Sequence, residues 1–180
     1  PMTGQWHDKS YYPILSFNSN EEFCDIAIPT NHEWQVITQK YFLSRCQNNY
    51  IKPDEVIPWE DKNPIAVFRG KATGCSMNIE DNPRLNLARI DKELKERGKD
   101  ILDAAISSFS SHTIVQTDEY GQKHVIKGND SSITDKIIDN ISYSEDSYLS
   151  MQDQSKYKYV INVEGNSAAY RLSYLLKYSG

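Results

Sequence analysis

The sequence predicts an α/β fold in which helices cover a mainly parallel, Rossmann-like sheet. Two apolar segments, "NPIAVFRG" at 63–70 and "KYVINV" at 158–163, are typical of buried strands. Between them, "NPRLNLARIDKELKERG" offers Asn82 as N-cap, Pro83 at the first helical position and Gly98 beyond the end of a helix. Strands that alternate with helices favour a layered architecture with parallel strands.

The other elements follow from local patterns along the chain. Short strands are predicted at 14–17 ("ILSF") and in "CDIAIPT", and a short helix is predicted after Asn31 in "NHEWQVITQKYFLSRC". The strand at 63–70 is expected to end at Gly70 and to lead into a loop, "KATGCSMNIED". "ILDAAISSF" at 101–109 predicts another strand, and the polar stretch 110–135 predicts a hairpin around "EYGQ" with a turn at "GND".

Three helices are predicted in the last part of the chain. Ile137, Ile138 and Ile141 indicate a short helix, and "SEDSYLSMQDQSKY" indicates a second helix with Ser144 as its cap. "SAAYRLSYLLKY" predicts a final helix that begins directly after Gly165 and Asn166 and carries Arg171 in its first turns.

Composition bounds the functional classes. The chain has 180 residues and a net charge of −5, which argues against a general nucleic-acid binder. No apolar run approaches the roughly 20 residues of a membrane span. The chain starts without an apolar leader and stops directly after a predicted helix, so we expect it to be a fragment, one segment over 1–180, of a longer protein.

The cysteines give no metal site. Cys24, Cys46 and Cys75 form no CxxC pair, and the four histidines are scattered, so no zinc spacing is present. The odd cysteine count favours a reducing compartment, although a free thiol in a secreted protein is also compatible with it.

Two strand–glycine units are candidate phosphate sites. In "AVFRGKATG" and in "VINVEGNSAAYR", small residues follow a strand, where backbone N–H groups and a helix start can accept an anion. Arg171 could then donate two hydrogen bonds to a phosphate. A structural interpretation stays open, in which Gly165 only makes a turn, Asn166 or Ser167 only caps, and Arg171 is solvated. Neither unit is a Walker loop or a GxGxxG motif.

Taken together, the segments resemble glycosyltransferase family 90. The resemblance rests on "PWEDKNPIAVFRGKATG", "NPRLNLARI" and "KYKYVINVEGNSAAYRLSYLL" in this order, with "FNSNEEFCDIAIPT" upstream, and it spans residues 14–180. The family includes fungal capsule-associated proteins and animal protein O-glucosyltransferases and O-xylosyltransferases. The resemblance implies two Rossmann-like halves facing across a cleft, the GT-B arrangement. It also implies a UDP-sugar donor, usually UDP-glucose or UDP-xylose, a protein or glycan acceptor, inversion at the anomeric carbon and no bound metal or other cofactor.

The resemblance also assigns donor-nucleotide binding to a set of residues. They are Gly70, Lys71, Thr73, Gly74, Arg84, Asn166, Ser167, Ala168, Ala169, Tyr170 and Arg171. Two positions depart from the family pattern. The family often has Ser where Lys71 stands, and a family arginine aligns with Asp81, so that Arg84 is the nearest basic substitute. Arg171 falls on an arginine position of the family and would neutralise the leaving diphosphate.

The catalytic base is not identified. The resemblance places an aspartate in a segment before "PILSF", at or before Pro1; Asp8 lies near that place but not in a matching motif. The alternative function is therefore a catalytically silent relative that binds a nucleotide or a glycan. An unrelated α/β phosphate-binding or structural domain is a third interpretation. The compartment is unknown: cytoplasmic by the cysteine count, or a secretory lumen by analogy with the animal members.

The resemblance and the α/β pattern make one geometric prediction. Ligands of open α/β sheets bind beyond the carboxyl ends of the strands. The strands at 65–69 and 158–163 should therefore lie in one parallel sheet, with Gly70 and Gly165 at the same edge.

Overall fold

A three-stranded parallel sheet is the centre of the fold. The computed structural model describes residues 15–17, 21–22, 25–30, 33–34, 56–74, 76–117, 120–146, 148–166 and 171–178. Strand β3 (Asn63–Ala72) lies between β4 (Leu102–Phe109) and β7 (Tyr157–Val160), and both neighbours run parallel to it. The predicted α/β architecture with parallel strands is thus confirmed, including the pairing of β3 with β7, the strand that precedes Gly165.

The remaining elements are short except for one helix. Strands β1 (Leu15–Ser16) and β2 (Ile26–Ala27) form a separate parallel pair, and a 3-10 turn spans Trp59–Asp61. Helix α1 covers Pro83–Glu96, and strands β5 (Thr113–Thr117) and β6 (Lys123–Lys127) form an antiparallel hairpin, as the sequence predicts. The other helices are α2 (Ser131–Ile138), α3 (Met151–Gln154) and α4 (Leu172–Tyr178). No helix of the described ranges is both long enough and apolar enough to cross a membrane.

Strand β3 does not end at Gly70, as the sequence suggested, but continues to Ala72. Gly70 stays paired with Ile106 of β4, because ladder hydrogen bonds need only the backbone. The register then shifts: Lys71 pairs with Ser108, which leaves one extra residue on β4. This irregularity lies where β3 approaches the carboxyl edge of the sheet.

Helix α1 begins where the sequence places it and packs the core. The Asn82 Oδ1 atom accepts hydrogen bonds from the backbone N–H groups of Arg84 and Leu85, at 3.0 and 3.3 Å. Leu85 and Ala88 of this helix are fully buried, as is Phe68 of β3. They belong to one apolar cluster with the inward-facing residues of β4, so the helix covers one face of the sheet.

The outer edge of β4 is closed by a buried carboxylate and a short segment. Asp91 of α1 is fully buried and accepts a hydrogen bond from the Ala104 N–H at 2.9 Å, while Lys95 lies 2.8 Å from its other oxygen. Next to it, the Ile106 N–H donates to the Ser142 carbonyl, and the Ser144 N–H donates to the Ile106 carbonyl. Backbone groups that would otherwise be unpaired at this edge are thereby satisfied.

The prediction of a helix that begins after Ser144 is wrong. Residues 142–144 pair with the edge of β4, and this non-local pairing overrides the local capping pattern. Helix α3 begins only at Met151, with the Ser150 hydroxyl accepting the Asp153 N–H at 3.0 Å. Helix α2 begins earlier than the isoleucine pattern suggested, at the Asp130 N-cap, inside the stretch read as polar hairpin and turn. Ile141 lies beyond its end but is buried in the core.

The last elements differ in length from the prediction. Strand β7 ends at Val160, although the Ile161 N–H still donates to the Val67 carbonyl at 3.0 Å. Helix α4 begins at Leu172, and residues 167–170, where a helix start was predicted, lie outside the described residues. The helix predicted after Asn31 is described only at residues 33–34, which are helical.

We predict that Asp91→Ala lowers the free energy of unfolding by about 1–3 kcal/mol, because it leaves the buried Ala104 N–H without an acceptor. Urea denaturation measures this loss. Glu93→Ala is the matched control on the same helix, since Glu93 makes a half-exposed ion pair with Arg89, a type worth about 0–1 kcal/mol. Equal losses in the two variants would contradict the role given to Asp91.

Candidate functional site

The two glycine segments meet at the carboxyl edge of the sheet. The Gly74 N–H donates to the Asn166 Oδ1 atom at 2.8 Å. A Cβ atom on Gly165 would lie 2.6 Å from the Thr73 hydroxyl, so only glycine allows this approach. Gly70 and Gly165 both face the Arg84 guanidinium. The prediction that they open on one edge is confirmed.

Arg84 connects the ends of β3 and β7. It is the second residue of α1 and is buried. Its Nε donates to the Glu164 carbonyl at 2.7 Å, its Nη2 to the Val163 carbonyl at 3.0 Å, and its Nη1 to the Lys71 carbonyl at 3.1 Å. The side chain therefore fixes the two segments relative to each other, while Asp81, at the aligned family position, is exposed.

Arg171, which lies near the C-terminal helix, approaches the same place. Its Nη1 donates to the Arg69 carbonyl at 2.8 Å and lies 3.5 Å from the Gln154 Oε1 atom. The open interpretation of a solvated Arg171 is wrong, because the side chain is partly buried on the sheet. Arg171 also lies just before helix α4 rather than within its first turns; its carbonyl accepts the Leu175 N–H at 2.9 Å.

The two guanidiniums share an aromatic ring and a glycine. Their central carbons lie 5.8 Å (Arg84) and 5.4 Å (Arg171) from the centre of the Phe68 ring. A Cβ atom on Gly70 would come within 2.9 Å of Arg171 Nη2 and 3.6 Å of Arg84 Nη1. The absence of a side chain at Gly70 thus allows the close approach of Arg171, whereas 3.6 Å to Arg84 is an ordinary contact distance.

The charge at this site is uncompensated within the described part of the chain. Arg69, on the same strand, pairs with Asp103 at 2.8 Å, but neither Arg84 nor Arg171 forms a described ion pair with a carboxylate. Burial first, and then the charge of Arg171, lowers the pKa of Arg84 to about 10; burial lowers the pKa of Arg171. Two partly desolvated like charges held by neutral carbonyls favour an anionic ligand.

The other predicted site residues are distributed unevenly. Lys71 is exposed and contributes its carbonyl to Arg84, and Thr73 is half-buried beside Gly165. Residues 167–170 and Asp8 lie outside the described residues, so their assigned roles stay predictions. Where the structure describes the chain, no group of three histidine, cysteine or acidic side chains could hold a metal ion.

Sequence reasoning missed two members of the site. Phe68 is the ring beneath both guanidiniums, and Gln154 lies beside Arg171. Phe68 is readable only as a buried strand residue, since nothing local marks it as an arginine platform. Gln154 is almost fully buried, and its Nε2 donates to the Leu149 carbonyl at 3.0 Å. Gln154 ends a short polar helix, and only the tertiary structure shows that it is buried.

Comparison with known proteins gives relatives in three viruses. The chain is 35% identical over 176 residues to "Uncharacterized protein 035R" of Invertebrate iridescent virus 3, covering 96% of this chain and 14% of that protein. It is 28% identical over 192 residues to "Uncharacterized protein 179R" of Invertebrate iridescent virus 6, with coverages of 89% and 15%. It is 24% identical over 180 residues to "Uncharacterized protein 027R" of Frog virus 3, with coverages of 91% and 16%.

These relatives are much longer than the chain, which spans 14–16% of their lengths. No solved structure matches it. The family model described as glycosyl transferase family 90 matches residues 2–179, which includes both glycine segments and both arginines. Because that match covers almost the whole chain, the chain belongs to glycosyl transferase family 90.

Proposed function

We propose that the protein transfers a sugar from a UDP-sugar donor to a hydroxyl group of a protein or glycan. Glucose and xylose are the first candidates for the sugar, and the transfer inverts the anomeric carbon without a metal ion. The observation that carries the proposal is the Arg84–Arg171 pair at Gly70, which is uncompensated by a carboxylate among the described residues. A GT-B arrangement of two halves, with this segment contributing the donor side, is part of the proposal.

The hydrogen-bonding capacity of the two arginines supports a diphosphate ligand. A guanidinium has five N–H donors in a planar fork. Arg84 uses three of them on described carbonyls, and Arg171 uses Nη1. Donors therefore remain on both side chains for phosphate oxygens. A diphosphate can span two adjacent guanidiniums, whereas a single carboxylate would offset only one of them.

The same arrangement suits the leaving-group side of the reaction. In an inverting transfer, the acceptor oxygen attacks the anomeric carbon, the bond from that carbon to the diphosphate oxygen breaks, and the acceptor proton passes to a base. Negative charge then grows on the diphosphate. Two guanidiniums already held by carbonyls and by Phe68 can stabilise that charge without reorganising. The base is expected at or before Pro1; Asp8 lies near that place but not in a matching motif, and its role stays a prediction.

We predict that the full-length protein binds UDP in the presence of EDTA, because the two arginines supply the positive charge that a metal ion supplies in other transferases. Isothermal titration calorimetry measures the affinity. Binding that is absent in EDTA and restored by Mn²⁺ would contradict the metal-independent site. UDP binding without transfer from any of a panel of nucleotide sugars would instead support the catalytically silent alternative.

We predict that Arg171→Ala slows transfer by raising its activation free energy by about 2–4 kcal/mol, the range for removing one preorganised charge-stabilising group. Arg171→Lys should recover only part, because an ammonium cannot hold two oxygens in a planar fork. Arg171 also packs on Phe68, so both variants should lower the melting temperature.

The rise in melting temperature caused by UDP separates the two effects, since it depends on affinity and not on the starting stability alone. This rise should be largely lost in Arg171→Ala. It should be kept in the control Arg97→Ala, which removes an exposed arginine at the other end of α1, about 20 Å along the helix from Arg84. A normal UDP-induced rise in Arg171→Ala would eliminate the diphosphate role.

We predict that Gly70→Ala weakens UDP binding about tenfold, because the new methyl group must displace the Arg171 Nη2 atom, 2.9 Å away. Calorimetry on purified variants measures the change. Ser108→Ala, on the adjoining strand beside Lys71, is the matched control at the same sheet edge. Wild-type affinity in Gly70→Ala would show that the close approach of Arg171 is not needed.

A further inference from the structure

The β5–β6 hairpin projects from the same sheet edge as the arginine site. Strand β4 runs parallel to β3, and its last residues, Ser108 and Phe109, pair with Lys71 and Ala72. Residues 110–112 then lead directly into β5. Because neighbouring strands lie about 4.8 Å apart, the hairpin starts one strand away from the end of β3 that carries Gly70.

The hairpin is held firmly on one side. Ile114 is buried in the main apolar cluster, and Ile126, directly opposite it, packs against that cluster. At the base, the Gly128 N–H donates to the His112 carbonyl at 3.0 Å. A Cβ atom on Gly128 would lie 2.6 Å from the Ser110 carbonyl oxygen, so the chain closes there through a tight backbone contact. The opposite face therefore has a fixed direction.

That opposite face is apolar in the middle and cationic on both sides. Val115 and Val125 lie directly opposite each other and are 56% and 69% exposed. Along β6, the same face carries exposed Lys123, Val125 and Lys127, about 6.8 Å apart. Lys127 lies near Asp130. The Ser132 N–H and hydroxyl both donate hydrogen bonds to the Asp130 carboxylate, and these bonds, together with the charge of Lys127, lower the pKa of Asp130. We call Val115, Lys123, Val125 and Lys127 the outer hairpin face.

We propose that the outer hairpin face docks an extended acidic segment of the acceptor polypeptide. In such a segment, alternate side chains point to one side, so an apolar residue flanked by two acids would match the Lys–Val–Lys spacing. Within the described residues, β5 and β6 form strand pairs only with each other, so their outer edges offer main-chain groups for an added strand as far as Lys127, whose carbonyl already accepts the Asp130 N–H at 3.1 Å. That edge favours a polypeptide over a nucleic acid. The inference rests on the proposed function for calling this partner the acceptor.

The test uses the full-length protein and two synthetic peptides of the patterns Glu-Ser-Val-Ser-Glu and Lys-Ser-Val-Ser-Lys. Fluorescence anisotropy should show at least tenfold tighter binding of the acidic peptide, weakening with added salt. Val115→Thr together with Val125→Thr keeps shape and strand propensity and should weaken that binding about tenfold. Lys123→Glu together with Lys127→Glu should invert the preference between the peptides. Ile101→Thr, a 61% exposed residue at the opposite sheet edge, is the control and should change nothing.

Three results would overturn the proposal: equal affinity for the two peptides, unchanged binding in the valine and lysine variants, or equally tight binding of a ten-nucleotide oligo-dT. Calorimetry with UDP on the same variants keeps this test independent of the donor site, since none of these residues contacts the two arginines. If the preference for the acidic peptide is absent while UDP binding is intact, only the docking role of the outer hairpin face is refuted. Acidic-peptide binding without any UDP binding supports the surface and sinks the proposed transferase function.

Discussion

Three hydrogen bonds from the Arg84 guanidinium set the geometry on which the site depends. They join the carbonyl of Lys71, near the end of β3, to the carbonyls of Val163 and Glu164, which follow β7 and are far from Lys71 in sequence. Without them, the ends of β3 and β7 would leave three carbonyls to find other partners at the edge of the sheet. The contact between Gly165 and Thr73 and the bond from Gly74 to Asn166 both lie within the frame that Arg84 holds.

Burial of the Arg84 guanidinium beside Arg171 has an electrostatic cost that no carboxylate of the described residues offsets. Arg84 and Arg171 lie against one ring with no described carboxylate paired to either, and their pKa values are lowered by burial. Carbonyl oxygens and the face of Phe68 compensate part of the cost. Two other buried or half-buried charges of the described residues, Asp91 and Arg69, are paired with Lys95 and Asp103. The exception at Gly70 therefore points to a ligand that brings negative charge.

Position along the sheet connects this site to the hairpin. All three strands are parallel, so their carboxyl ends share one edge, and the β5–β6 excursion leaves the sheet at that edge. Topology rather than proximity in sequence thus places the arginine pair and the apolar–cationic hairpin at the same edge. This edge therefore offers two chemically different surfaces, as the proposed transfer between two substrates would use.

Much of the fold could be predicted from the sequence because its signals are local. Asn82, Pro83 and Gly98 mark the ends of α1, and the apolar runs in β3 and β4 identify buried strands whatever surrounds them. Tertiary pairing overrode the local signals at two points. β3 runs past Gly70 because β4 continues to pair with it, and Ser144 caps no helix because its N–H bonds to the edge of β4.

For the site, the sequence by itself determined the residue types: two glycine segments after strands, with basic residues near them. What those arginines do was decided only by the tertiary structure. Arg84 and Arg171 are 87 positions apart, and no local pattern shows that their guanidiniums meet over Phe68. Burial, shared carbonyls and the missing Cβ of Gly70 are properties of the packed sheet edge. Long-range packing places an arginine that could have been a solvated helix residue beside a second guanidinium over Phe68, as half of the proposed anion site.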